Sequence, residues 1–87
     1  MPHVLHLVKD PANAVALEVI RAQAADPQVR LSVVLMQDAR GLAEPLPGDV
    51  YRLSGDHTGL PPAPGSRTIG PPELLDLIFA ADSVVTW

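Results

Sequence analysis

The sequence contains no cysteine. Disulfides, thiolate metal sites and thioester or persulfide intermediates are therefore closed to it. The lack of disulfides also fits a reducing compartment. Positive charge is scarce: six Lys and Arg stand against ten Asp and Glu, for a net charge of −4. The six are spread singly, so no basic stripe exists to track a phosphate backbone, and direct nucleic-acid binding has no electrostatic footprint. A basic helix lying on a membrane is excluded for the same reason. No apolar run approaches the about 20 residues that a membrane helix needs. The opening MPHVLHLVKD lacks a charged leading region and carries Lys9 after its apolar residues, the reverse of a signal peptide. A cytoplasmic protein is the expectation.

What is present is a small, apolar chain. Its 87 residues allow one domain, 1–87. A chain this short hides only about two thirds of its unfolded surface. Yet 47% of its residues are hydrophobic and the mean hydropathy is +0.19. Part of that apolar surface is expected to lie against another subunit.

The pattern along the chain is that of an α/β domain. His3 to Val8 reads as a strand. Asp10-Pro11 reads as a helix start, with Asp10 as cap and Pro11 at the first helical position. Ala12, Val15, Ala16, Val19 and Ile20 recur at helical steps and predict the buried stripe. Asp26-Pro27 ends that helix. Leu31 to Met36 is an apolar run with no polar alternation, the mark of a parallel strand covered on both faces. Strand, helix, strand makes a right-handed βαβ unit. DVYRLS from Asp49 is a third strand and Arg67 to Ile69 a brief fourth. Gly70-Pro71-Pro72-Glu73 opens a second helix with Leu74, Leu75, Leu77, Ile78 and Phe79 on its apolar side. SVVTW from Ser83 is the last strand. The fold class is thus a single small α/β domain, a mainly parallel sheet of about five strands with two main helices.

Two helices are few for such a sheet, which needs both faces covered. Between the second and third strands, where a covering helix belongs, stands LAEPLPGD, broken by two prolines. One sheet face is expected to need a partner. The loop SGDHTGLPPAPGS is long for a compact domain, and such loops serve function or sit against a partner.

Candidate site residues lie at the carboxyl ends of the strands, where ligands collect in open α/β sheets. They are Gln37, Asp38 and Arg40 after the second strand, and Asp56 and His57 in the Pro/Gly loop. An Asp beside a His can tune a general base, but no nucleophile accompanies this pair. Lys9 and Asp10 follow the first strand, with Asp10 expected as a cap. Neither a G-x-G-x-x-G nor a Walker loop is present, and no cofactor is expected. His3 and His6 lie three apart on a strand, face opposite sides and cannot share a metal. Trp87 either packs in the core or anchors an interface. No catalytic constellation is recognisable. Three functions stay open from the residues: an assembly subunit, a small-ligand or anion-binding domain using the strand-end loops, or a minimal enzyme with His57 and Asp56 as its acid–base pair.

HVLHLVKDP, VVLMQDA, VYRLSGD and PPELLDLIFAADSVVTW, in that order and spacing, resemble the DsrH/TusB family of the DsrE/DsrF-like superfamily. The likeness spans nearly the whole chain. It implies a flavodoxin-like, DsrEFH-like fold and membership of a hetero-oligomer that relays persulfide sulfur, toward tRNA 2-thiouridine or in sulfur oxidation. In that superfamily the relay cysteine sits chiefly on the DsrE/TusD-type subunit, and some DsrH-type members carry one in the first helix. Here that region reads NAVALEVIR, with no thiol. The segment QDARGLAEPLPG is also shorter than usual. The resemblance therefore implies a structural or accessory subunit, homo-oligomeric or bound to a cysteine-bearing DsrE/TusD-like partner.

Overall fold

A computed structural model describes residues 2–10, 12–36, 46–53 and 66–87. The elements run β1 (His3–Val8), α1 (Ala14–Ala24), β2 (Arg30–Leu35), β3 (Asp49–Leu53), β4 (Arg67–Ile69), α2 (Pro71–Ala80) and β5 (Ser83–Thr86). The five strands form one sheet in the order β4-β3-β2-β1-β5. Every pairing is parallel. This is the α/β architecture that the sequence pattern predicts.

β2 explains why. All five residues from Leu31 to Leu35 are buried, because β2 lies mid-sheet with β1 and β3 on its flanks. Leu31, Val33 and Leu35 pack with Leu17 and Ile20 of α1, together with Val8 and Val50. Burying one such aliphatic side chain fully contributes about 1.5–3 kcal/mol. Ser32 and Val34 point to the other face and are also fully buried.

The helices take opposite faces. α1 covers the Val8–Val33–Val50 side. α2 stands on the side of Tyr51 and Arg67. Right-handed connections produce this arrangement, since the chain steps from β1 out to β4 and then runs back across the sheet to β5.

Three local expectations are corrected. The cap of α1 is Asn13, whose side chain accepts from the Ala16 amide at 3.1 Å, and not Asp10. Asp10 instead accepts from the Ala12 amide at 2.9 Å and shapes the turn before the helix. Pro11 lies outside the described residues. Because α1 starts at Ala14, the buried row is Ala16, Leu17 and Ile20, and Val15 is 61% exposed. Each residue turns a helix by about 100°, which carries Val15 well round from that row. Finally, the bare sheet face is not found on the central strands. Leu5 and Val34, on the α2 side, are fully buried; the return of α2 over β1 was not visible in the pattern.

Asn13→Ala is expected to lower stability by about 1 kcal/mol, the usual worth of a helix cap. Urea unfolding followed by circular dichroism measures this. A change below a few tenths of a kcal/mol would show that the Asp10 turn alone holds the helix start.

Candidate functional site

The strand order places the topological switch beside β1. From β1 the chain steps through β2 and β3 to β4, whereas β5 lies on the other side of β1. Ligands of open α/β sheets bind at such a point, outside the carboxyl ends of the strands. Trp87 stands at this end of the sheet, directly after β5. Its backbone amide donates to the Leu7 carbonyl at 2.9 Å, extending the β5 ladder by one residue. Its indole lies edge to edge with the His6 ring, with centroids 6.1 Å apart and planes 17° from parallel.

His6 is fully buried. The Trp87 indole N–H donates to His6 Nδ1 at 2.9 Å. An indole nitrogen only donates, so Nδ1 is an acceptor and His6 is neutral in this arrangement. The ring proton then sits on Nε2, which donates to Gln23 Oε1 of α1 at 2.6 Å. Both ring nitrogens are occupied and no water can reach them. The trio ties β1, α1 and the residue after β5 together, and leaves His6 no lone pair for proton transfer. Trp87 therefore belongs to the core side of the two roles open to it, packed against the main apolar cluster while part of its surface stays open.

A second buried pair sits on the opposite face. His3 Nε2 and Ser32 Oγ are 2.7 Å apart. A serine beside a histidine has the outline of an activated nucleophile. Two facts exclude that chemistry. Ser32 has no exposed surface, so no substrate atom can approach Oγ. Asp82 does not orient the ring, because its Oδ2 accepts from the backbone amide of His3 at 2.7 Å. The pair satisfies two polar groups inside an apolar sheet and locks β1 to β2.

At the outer edge, Arg52 donates to the Ser66 carbonyl at 3.0 Å, to Ser66 Oγ at 2.7 Å and to Thr68 Oγ1 at 2.6 Å. The three-residue β4 is thus fastened by a side chain as well as by its ladder. On the other face Arg67 lies over the Tyr51 ring, 5.2 Å from its centroid.

Of the residues singled out from sequence, Gln37, Asp38, Arg40, Asp56 and His57 lie outside the described residues. Lys9 is exposed at the end of β1. His3 and His6 do face opposite sides of the sheet. Their buried networks were missed because each depends on a partner, Ser32, Gln23 or Trp87, that only the strand order brings near. The one local signal was a histidine inside an apolar strand, which demands a hydrogen-bond partner when buried.

Comparison with known proteins follows from this geometry. No protein-family model matches the chain, and no curated protein matches it. Among solved structures, the crystal structure of the ychN protein from E. coli superimposes over the full length of both chains with a TM-score of 0.75 and 20% sequence identity. The chain has the fold of the ychN protein. The likeness extends to the architecture and not to activity, because one residue in five is shared. No helix among the described residues is long and apolar enough to cross a membrane.

Proposed function

We propose that this chain is a non-catalytic accessory subunit of the DsrH/TusB kind, whose task is assembly with a cysteine-bearing partner of a sulfur relay. The carrying observation is the outer surface of α2. None of its residues is buried, Phe79 is 81% exposed and Leu75 53% exposed. These two stand one turn apart on the same helix face. Val84 of β5, on the α2 side of the sheet, is 42% exposed. Apolar side chains grouped on one side of a small domain mark a contact surface. The absence of thiols supports a role in which this subunit holds the complex and the partner carries the sulfur.

Size-exclusion chromatography with light scattering tests the reading. The wild-type protein is expected to self-associate, or to co-purify with a cysteine-bearing homologue when the two are co-expressed. The double variant Leu75→Glu, Phe79→Glu is expected to lose that association while its circular dichroism stays unchanged. A protein that is monomeric at micromolar concentration and recruits no such homologue would end this proposal.

A further inference from the structure

One helix is about 10–12 Å wide and neighbouring strands lie about 4.8 Å apart, so one helix covers about two strands. α2 is the one described helix on its face of a five-stranded sheet. It rests against β1, and a groove remains between it and the β3–β4 edge. The groove has a volume of about 600 Å³. Tyr51, Arg67 and Ile69 form its sheet side, and Asp76, Leu77 and Ala80 its helix side, with Glu73 at the α2 amino end.

Charges of both signs line it together with apolar residues. Arg67 supplies a cation held over Tyr51, with its Nη2 donating to Tyr51 Oη at 3.4 Å. Among the described residues its partner is Tyr51, and no carboxylate pairs with it. On the facing wall, Glu73 is engaged: its Oε2 accepts from the Gly70 amide at 2.9 Å and closes the first helical turn. Asp76, one turn further, has no partner among the described residues. A ligand that enters this groove meets a guanidinium on its sheet side, a carboxylate with no partner among the described residues on its helix side, and the apolar side chains of Ile69, Leu77 and Ala80.

We infer that the groove between α2 and the β3–β4 edge binds a small zwitterion with an apolar body, an α-amino acid with an aromatic or branched side chain. Its carboxylate meets Arg67, which offers a planar fork of donors suited to it. Its ammonium meets Asp76. Its side chain lies on Ile69, Leu77 and Ala80, beside the Tyr51 ring. A simple anion is disfavoured by the carboxylates of α2, and a simple amine by Arg67. Only a molecule carrying both charges answers both walls. This site is independent of the contact surface formed by Leu75 and Phe79.

Isothermal titration with three probes tests it: L-phenylalanine, phenethylamine, which lacks the carboxylate, and 3-phenylpropionate, which lacks the ammonium. L-phenylalanine is expected to bind saturably, and each truncated probe to bind about tenfold or more weakly, the usual loss when a hydrogen bond between charged groups is removed. Arg67→Gln and Asp76→Asn, both at surface positions that leave the fold intact by circular dichroism, are each expected to weaken L-phenylalanine by a similar factor. Arg67→Gln should not weaken phenethylamine, and Asp76→Asn should not weaken 3-phenylpropionate. Absence of saturable binding of L-phenylalanine at tens of millimolar overturns the inference. So does equal binding of all three probes, or binding that survives both substitutions.

Discussion

His6→Ala is expected to lower the stability of the domain by about 3–5 kcal/mol, the range for removing a large, fully packed side chain. The imidazole has no exposed surface and stands mid-strand, opposite Val33 of β2 and Val85 of β5. Truncation opens a cavity at the place where three strands and α1 meet. It also leaves the Gln23 and Trp87 side chains without their partner, and an unmet buried polar group costs about 1–3 kcal/mol. Gln23 and Trp87 are only half-buried, so water can relieve part of that second loss. A small domain has about 5–10 kcal/mol in hand, so the variant is expected to keep only part of that margin and to melt well below the wild type. Trp87 is the sole tryptophan, so its fluorescence reports on this site directly. Urea unfolding followed by both fluorescence and circular dichroism measures the effect. Trp87→Phe separates the two contributions: it keeps a ring against His6 and removes the donor, and is expected to lose about 1 kcal/mol. A His6→Ala protein within 1 kcal/mol of wild type would show that the trio is incidental to the fold.

Gly48→Ala is the second change with a large expected effect, about 2–4 kcal/mol. Gly48 has φ of +84°, in the left-handed region. An L side chain there costs about 1–2 kcal/mol. Space is the larger obstacle. A Cβ at Gly48 would lie 2.7 Å from the carbonyl oxygen of Leu31. That oxygen belongs to the backbone of β2, mid-sheet, and cannot retreat without disturbing the ladder to β1 or to β3. Gly48 immediately precedes β3, so displacement there would shift Asp49 and the pairing of Ser32 with it. Gly48→Asn provides the contrast. Asparagine tolerates positive φ but still carries a Cβ, so it is expected to recover less than half of the loss. Full recovery in the asparagine variant would mean that backbone conformation, and not the approach to Leu31, makes glycine necessary.

How far these features could be read in advance depends on whether they are local. β2 was legible because an unbroken apolar run has one economical home in an α/β domain, the middle of a parallel sheet. α2 was legible from Gly70 to Phe79, since Pro71 and Pro72 tolerate only the first turn and Glu73 can reach back to the Gly70 amide. The start of α1 was not, because Asp10 and Asn13 are both capable caps and the choice between them turns on which register lets Ala16, Leu17 and Ile20 reach β2. The core role of Trp87 was half legible. An aromatic residue in an apolar strand must be covered, but only the placement of β5 beside β1 makes His6 its cover. Gly48 stood among prolines and looked like any turn glycine; its necessity comes from Leu31, a strand away. The groove could not be read at all, because it is a gap left by one helix crossing a sheet wider than itself.

The position of β5 has a consequence for how the molecule comes into being. β1 is made before the other strands described, yet one of its two neighbours is 79 positions further along, as the contact between His3 and Asp82 shows. While the polypeptide emerges from the ribosome, β1 can join β2 early, but its other side stays open until residues 83–86 arrive. Contacts so far apart in sequence close slowly, and an open strand edge invites foreign strands in the interval. The centre of the sheet is thus sealed only once β5 has been made, and Trp87 reaches His6 after it.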